Sequence, residues 1–128
     1  MNTLDEVMAS IPTLNSWGFT KPSWWNQADL AEDRTELLGH EDRIMLTVTW
    51  LQDNLPRSST PNRTSRWLRS LVEGQEGTYF LTHGEFIAAG ILAGYVWEHS
   101  KGFNVRFGVE GLDRLIASNN PTRSGMIL

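Results

Sequence analysis

The run of residues from 86 to 97, FIAAGILAGYVW, carries no charged side chain and constrains the fold more than any other stretch. It follows Thr82 and Glu85, which have the spacing of a helix capping box, and it contains Gly94, which suits a left-handed helix terminus. A helix over 85–93 would be apolar around its whole circumference, so we expect it to be buried at the centre of the fold. Three small residues would let a neighbouring element approach it closely: Ala89, Gly90 and Ala93.

Length and composition indicate one folded domain. The chain has 128 residues, of which 40% are hydrophobic and 20% charged, as in ordinary globular proteins. The uncharged run is too short to span a bilayer, and no basic segment precedes an apolar one at the start, as it would in a secretory signal. The absence of cysteine excludes disulfides and cysteine-ligated zinc. We therefore expect a cytoplasmic protein.

Capping residues and apolar periodicity predict most of the remaining secondary structure. In addition to the central helix, we expect helices over 4–10, 27–38, 41–54, roughly 66–73, and 112–118. Two segments rich in β-branched and aromatic residues, 95–99 and 103–109, flank a short turn and predict a β-hairpin. The expected fold class is mainly α (α+β), a compact single-domain bundle of five to six helices with one C-terminal β-hairpin.

Charge divides the chain into an acidic N-terminal part and a nearly neutral remainder. Residues 1–44 hold eight acids and three bases, whereas the rest holds seven acids and eight bases. Within the single domain we expect 1–56 to form an acidic helical part with an aromatic loop. Residues 57–118 should form a helix, helix, hairpin, helix part, and 119–128 a tail.

The order helix, helix, hairpin over residues 65–109 is also that of a winged helix-turn-helix. A recognition helix must present polar or basic side chains to base edges in the major groove. The helix over 85–93 offers only apolar residues after Glu85, so it is unsuited to that role. The predicted hairpin could still act as a wing, which keeps a nucleic-acid-binding accessory protein of winged-helix-like layout as an alternative.

Residues 64–73, TSRWLRSLVE, and 79–95, YFLTHGEFIAAGILAGY, carry a distinctive pattern. It resembles SSxxL(K/R)…(T/N)GxFIxAAxxxG(Y/F), which recurs in small accessory proteins of phages, prophages and plasmids, and the similarity extends to about residue 118. Ser70 stands where that pattern has a histidine, and His83 where it has an asparagine. The resemblance implies a mobile-element gene acting in a bacterial cell. The matching residues are Thr64, Ser65, Leu68, Arg69, Tyr79, Gly84, Phe86, Ile87, Ala88, Ala89, Gly94 and Tyr95.

The sequence has no constellation typical of catalysis. His40, His83 and His99 lie far apart in different predicted elements, and none has the spacing of a helical metal-ligand pair. No nucleophile elbow, phosphate loop or dinucleotide fingerprint occurs. We therefore expect a protein that is not an enzyme, with no catalytic residue, no metal and no cofactor. A small hydrolase or nuclease is the least supported alternative.

Aromatic residues suggest a binding function instead. The chain has six tryptophans, and we expect the loop over 11–25 to pack its rings down, with three tryptophans filling gaps in the core: Trp17, Trp50 and Trp97. Trp24 and Trp25 are adjacent, so both cannot easily enter one core, and their exposure is left open. Aromatic residues dominate the energetics of protein interfaces.

Four acids follow this tryptophan pair at helical spacing: Asp29, Glu32, Asp33 and Glu36. The ordinary interpretation of such a pattern is a solvated helix face. The functional interpretation is a partner-binding surface, to which Trp24 and Trp25 would belong. These six residues are the candidate partner-binding residues.

The acid-free stretch 54–72 holds the only basic cluster, Arg57, Arg63, Arg66 and Arg69, and the last three are the candidate contact residues. Arg66 and Arg69 would be neighbours on one helix face. The cluster could contact a nucleic acid or a protein partner through salt-sensitive charge contacts. It could equally pair with the acidic helices of the N-terminal third, or be solvated.

Together these features favour a phage or mobile-element accessory protein that binds, and modulates or inhibits, a host protein or ribonucleoprotein machine. An anti-defence inhibitor of the anti-CRISPR type is the most concrete candidate, since an acidic face could occupy the charges of a basic channel. Nucleic acid is the second choice of partner, and no membrane contact is expected. A homodimer could form through an edge strand over 103–109 or through the glycine-containing helix.

Overall fold

The computed structural model describes residues 2–118, which form six helices and three short strands. In chain order these are α1 (Leu4–Ser10), α2 (Gln27–Leu38), α3 (Glu41–Asn54), β1 (Arg63–Thr64), α4 (Ser65–Glu73), α5 (His83–Leu92), β2 (Trp97–His99), β3 (Val105–Phe107) and α6 (Leu112–Ser118). The predicted helices and hairpin are confirmed, and the fold is a compact α+β domain. The predicted tail lies outside the described residues.

The strands form one small antiparallel sheet in the order β1–β3–β2. Phe107 of β3 pairs with Trp97 on one side and with Arg63 on the other. The sequence does not predict β1, because a strand of two residues in a polar connection is too short to show an alternating pattern. β3 is therefore the central strand, and the expectation of a free edge over 103–109 for a second copy is wrong.

α5 is the central helix, as predicted. Every residue from Gly84 to Ile91 is buried, and α1, α3 and α4 pack around it. Gly90 admits the ring of Phe107, since a Cβ at Gly90 would lie 2.4 Å from Phe107 Cζ. The expected close approach at this glycine is confirmed. Because the helix is covered, it offers no surface through which a second copy could form a dimer.

The C-terminus of α5 is a Schellman motif built on Gly94. The Gly94 N–H donates to the Ile91 carbonyl at 3.1 Å, and the Tyr95 N–H donates to the Gly90 carbonyl at 3.3 Å. Gly94 has φ +95°, which residues with a Cβ rarely adopt. The motif satisfies helix carbonyls and turns the chain towards β2, as the predicted left-handed terminus requires.

Glu85 is buried in a charge cluster that joins α5 to α3. Its carboxylate accepts hydrogen bonds from Arg43 Nη2 at 2.7 Å, from His40 Nδ1 at 2.6 Å and from the Thr82 N–H at 2.9 Å. Burial acts to raise the pKa of Glu85, but these hydrogen bonds outweigh it and hold the pKa below its ordinary value. The sequence indicates only the capping role of this residue.

The loop over 11–25 is anchored by buried polar groups. Asn15 is fully buried and exchanges two backbone hydrogen bonds with Gly18, while its side chain accepts from the Trp17 N–H. The guanidinium of Arg34, on α2, donates to three carbonyls at the start of the loop and before it: Met8, Ile11 and Leu14. These bonds hold a segment that has no regular secondary structure.

The rings of this loop divide between the core and the surface. Phe19 packs against the core, and Trp17 and Trp24 remain 46% and 68% exposed. The expectation that the loop packs its rings down is therefore wrong for Trp17, because Ile11 and Leu14 enter the core from this loop and Phe19 packs against it. The other two tryptophans expected to fill the core do pack against it: Trp50 and Trp97.

Candidate functional site

The six candidate partner-binding residues lie around one shallow surface depression of about 310 Å³. The end of the aromatic loop and the outer side of α2 supply them, and we call this surface the acidic face: Trp24, Trp25, Asp29, Glu32, Asp33 and Glu36. A capping box between Asn26 and Asp29 starts α2 directly after the tryptophan pair. The helix therefore carries its carboxylates beside the two rings.

The two adjacent tryptophans have different environments. Trp24 is 68% exposed, and its ring meets that of Trp17 edge to face with 5.4 Å between the centroids. Trp25 is half-buried, and its carbonyl accepts a hydrogen bond from Lys21 Nζ at 2.7 Å. Trp24 is thus the ring that a partner can reach over most of its surface.

The four acids of the face fall into two pairs. Asp29 closes the capping box, and Asp33 accepts hydrogen bonds from the backbone N–H and the hydroxyl of Ser16 at 2.7 Å and 2.5 Å. Glu32 and Glu36 are exposed, and within residues 2–118 their carboxylates have no hydrogen bond or ion pair. Asp29 and Asp33 therefore hold the local structure, while Glu32 and Glu36 remain available as charges.

A second depression, of about 460 Å³, adjoins the acidic face. Four segments of the chain line it, and we call it the basic groove: Ser16, Trp17, Arg66, Arg69, Phe80, Thr82, His83, Phe103 and Asn104. The two surfaces share a border, because Trp17 contacts Trp24 and Ser16 binds Asp33. The sequence gives no sign of this groove beyond its arginines, since the segments meet only in the folded chain.

The three candidate arginines are not equivalent. Arg66 and Arg69 line the groove, whereas Arg63 lies outside it, with its guanidinium 5.6 Å from the centre of the Trp67 ring. Arg69 Nη1 donates to the Leu81 carbonyl at 2.8 Å. In the described part of the chain, the Arg66 guanidinium has no hydrogen bond or ion pair. Arg66 is therefore the charge most available to a ligand.

The alternative in which these arginines pair with the acidic helices of the N-terminal third is not realised within residues 2–118. The ion pair of the cluster joins Arg69 to Glu73, 3.7 Å away in the same helix. Trp17 lines the groove and Trp24 lines the acidic face, so their rings meet at the border between the two surfaces.

His83 links the segments that form the groove. Its Nδ1 lies 3.1 Å from the Trp17 carbonyl, which can only accept, so Nδ1 carries the hydrogen and Nε2 accepts from the Ser65 hydroxyl at 2.8 Å. Ser65 Oγ in turn accepts from the Val105 N–H at 3.0 Å. This chain of hydrogen bonds ties β3, α4, α5 and the loop together.

The Ser65 and His83 pair does not form a nucleophilic site in this structure. Ser65 is fully buried, and its Oγ is occupied by the Val105 N–H and the imidazole. A serine nucleophile needs an exposed Oγ that a substrate carbonyl can approach. The pair therefore has a structural role beneath the groove.

The described residues hold neither a metal-binding cluster nor a membrane-spanning helix. Within residues 2–118, no group of three or more histidine, aspartate or glutamate side chains is placed to hold a metal ion. In the same residues, no helix has the length and apolar character needed to cross a membrane.

Acidification is expected to destabilise the protein through His83. Burial, and then the positive charges of Arg69 and Arg66, lower the pKa of His83 from 6.5 to about 4 against the opposing effect of its bond to Trp17. The unfolded chain therefore binds the proton more readily, so the free energy of unfolding should fall as the pH drops from 6.5 towards 4. After allowance for solvent screening of a half-buried ring, the loss is roughly 1–2 kcal/mol.

Urea unfolding at a series of pH values measures this dependence, and His83→Gln is the matched variant without a titrating ring. The variant should be less stable at neutral pH but should lose less stability between pH 6.5 and 4. An equal loss in both proteins would assign the acid sensitivity to another group.

Comparison with protein-family models, with curated proteins and with solved structures finds no match to this chain. The resemblance to small phage and plasmid proteins therefore stays a prediction. Most residues that carry it have packing or capping roles here: Ser65, Leu68, Gly84, Phe86, Ile87, Ala88, Ala89 and Tyr95 are buried, and Gly94 ends α5. One departure from the pattern, His83, lies in the basic groove.

Proposed function

We propose that this protein is a non-enzymatic accessory protein of a phage or other mobile element that binds, and inhibits or modulates, a host macromolecular machine. Its most concrete form is an anti-defence inhibitor of the anti-CRISPR type that acts in the bacterial cytoplasm by protein–protein contact. The observation that carries the proposal is Trp24, an indole ring that is 68% exposed beside Glu32 and Glu36, whose carboxylates have no ion pair within residues 2–118.

Burial of this ring against a partner would remove a large apolar surface from water. A buried tryptophan covers roughly 150–250 Å², and at about 25 cal/mol per Å² the exposed part of Trp24 represents roughly 3 kcal/mol. Trp17 already contacts the ring edge to face, which lowers the entropy that remains to be lost on binding. Preorganised aromatic rings of this kind are typical of interface hot spots.

Glu32 and Glu36 indicate which kind of partner fits. Both carboxylates are exposed on α2, four positions apart and therefore on the same side of the helix. A complementary partner presents basic residues around an apolar pocket, as the walls of a channel that holds nucleic acid can do. Occupation of such a channel would exclude the nucleic acid and inhibit the machine.

A nucleic-acid-binding accessory protein of winged-helix-like layout is the second candidate, favoured by the two arginines of the basic groove. In a winged helix, the helix before the wing enters the major groove. α5 occupies that place in the chain and is buried, so it cannot contact bases without unfolding of the core. The arginines and the hairpin would remain as contacts, with little means of reading sequence.

Replacement of Trp24 by alanine is expected to weaken target binding at least about 30-fold, because a hot-spot aromatic contributes 2 kcal/mol or more. The charge reversal Glu32→Lys with Glu36→Lys should also weaken binding, and the effect should shrink as salt is raised. Affinity capture of the tagged protein from nuclease-treated bacterial lysate, read by mass spectrometry, identifies the target. Surface plasmon resonance with the purified target then measures the affinities.

Matched controls lie outside the acidic face. Trp67→Ala removes another exposed ring, and Glu76→Lys with Glu110→Lys makes the same charge change at two exposed positions. Both controls should leave binding nearly unchanged. Capture that persists in the Trp24 and charge-reversal variants, or that disappears on nuclease treatment, would contradict docking through the acidic face.

A further inference from the structure

The basic groove does not neutralise its own positive charges. None of the residues that line it is acidic, and within residues 2–118 its ion pair is the long contact of Arg69 with Glu73 at 3.7 Å. Both Arg66 and Arg69 act to lower the pKa of His83, after the larger effect of burial. The groove therefore carries local positive charge on a protein with a net charge of −4.

Exposed aromatic rings lie next to the arginines of the groove. Trp17 and Phe80 are 46% and 65% exposed, and Phe103 contacts Trp17 with 6.0 Å between the ring centroids. The guanidinium of Arg69 lies 5.8 Å from the centre of the Phe80 ring. A planar ligand can stack on such rings, and a volume of about 460 Å³ is within the range of small-ligand sites.

Asn104 adds a polar group at the same place. Its Oδ1 accepts from the Arg66 N–H at 3.1 Å, which orients the side-chain amide. Its Nδ2 has no hydrogen-bond partner among residues 2–118. Asn104 can therefore donate to a ligand without losing the bond that holds the start of α4.

We propose that the basic groove binds one nucleotide unit, with the phosphate at Arg66 and Arg69 and the base stacked on an exposed ring of the groove. One nucleotide combines the anionic and planar groups for which the groove has adjoining partners. An acidic peptide would also supply negative charge, but its carboxylate groups have no ring that could stack on the exposed aromatic side chains of the groove. The site is distinct from the acidic face and does not depend on the docking function.

The neighbouring acidic face limits the form of the ligand. A duplex carries closely spaced phosphates along its whole length, and those beyond the groove would approach Glu32 and Glu36 across the border formed by Trp17 and Trp24. A free nucleotide, or a flexible single strand, can place one phosphate in the groove and direct the rest away. These two sources share the same chemistry, and experiment can separate them.

The test uses the full chain and two ligands at low salt. Adenosine 5′-monophosphate is titrated while tryptophan fluorescence is followed, and a fluorescein-labelled single-stranded oligonucleotide is titrated while anisotropy is followed. We expect saturable binding of at least one ligand. Binding of the mononucleotide assigns the site to free nucleotides, whereas binding of the oligonucleotide alone assigns it to a single strand.

Variants locate the binding in the groove. Arg66→Glu should reduce the affinity at least about tenfold, since it removes a guanidinium that lines the groove and introduces a carboxylate that repels phosphate. Arg63→Glu makes the same charge change on β1, outside the groove, and should change the affinity by less than about twofold. At least one of Trp17→Ala and Phe80→Ala should reduce the affinity about tenfold or more, because the base stacks on one of these two rings.

Four results would overturn the assignment. They are failure of both ligands to bind, equal effects of Arg63→Glu and Arg66→Glu, equally tight binding of base-free polyphosphate, and selective binding of an acidic peptide. Trp24→Ala should retain nucleotide binding, so failure of the groove and failure of the docking surface give different patterns. Circular dichroism checks that each variant is folded.

Discussion

Replacement of Glu85 by alanine is expected to lower the free energy of unfolding by roughly 3–5 kcal/mol at pH 7. The carboxylate is 1% exposed and accepts hydrogen bonds from Arg43, His40 and the Thr82 N–H. Alanine would leave the Arg43 guanidinium beside a cavity without its counter-charge and would remove the capping box of α5. Urea unfolding followed by circular dichroism measures the loss.

Glu85→Gln is the matched variant, because it keeps the shape of the side chain and removes its charge. It should lose less free energy of unfolding than Glu85→Ala. A double-mutant cycle with Arg43→Ala should give a coupling energy of about 1–3 kcal/mol, since Arg43→Ala leaves the buried Glu85 carboxylate without this partner and Glu85→Ala leaves the half-buried guanidinium without its counter-charge. Strictly additive losses would show that the two side chains do not stabilise one another.

The lowered pKa of Glu85 also sets the sign of its pH dependence. The pKa of this carboxyl is lower in the folded protein than in the unfolded chain, where it has its ordinary value of 4.5. Its contribution to stability is therefore present above pH 4.5 and is lost as the pH falls through the folded pKa. The alanine and glutamine variants should lack this part of the acid sensitivity, which lies at lower pH than the onset caused by His83.

Replacement of Gly84 by alanine is expected to lower the free energy of unfolding by about 3 kcal/mol or more. A Cβ at Gly84 would lie 1.6 Å from the backbone oxygen of Asn15 and 2.5 Å from its carbonyl carbon. Helix propensity alone predicts the opposite, a gain of about 1 kcal/mol for alanine over glycine. The clash outweighs the gain in helix propensity, because Asn15 is fully buried and cannot move easily. Both its N–H and its carbonyl are hydrogen-bonded to Gly18.

Chemical denaturation measures this loss, and amide hydrogen exchange of residues 13–19 would show whether the loop has moved. Gly39→Ala is the matched control, since Gly39 has an ordinary helical conformation and an added Cβ would lie 3.2 Å from the Glu36 carbonyl oxygen. That variant should change stability by less than about 1 kcal/mol. A stable Gly84→Ala protein with unchanged exchange would show that loop and helix can separate at little cost.

Local signals were sufficient for the helices. Thr3, Asn26 and Thr82 cap α1, α2 and α5 with their side chains, and such caps can be recognised locally because a cap and its partner lie within three residues. The burial of α5 could also be predicted, because an uncharged helix has no side that favours water. The six candidate partner-binding residues around Trp24 could also be grouped in advance, since all lie within 24–36 and α2 sets the spacing of the acids.

Contacts between distant parts of the chain could not be predicted from such local signals. β1 is recognisable only through its pairing with β3, and Glu85 becomes a buried ion only because α3 brings Arg43 and His40 to it. The exposure of Trp17 depends on which loop side chains fill the core, and composition does not determine that choice.

The sequence by itself determined the helices, the caps of α1, α2 and α5, the hairpin and the central place of α5, because these follow from neighbours a few residues apart and from apolar periodicity. Only the tertiary structure decided that Arg66, Trp17, His83 and Asn104 line one groove. It also decided that this groove borders the acidic face. These residues are separated by tens of positions, and the hydrogen bonds and packing that bring them together exist only after the chain has folded.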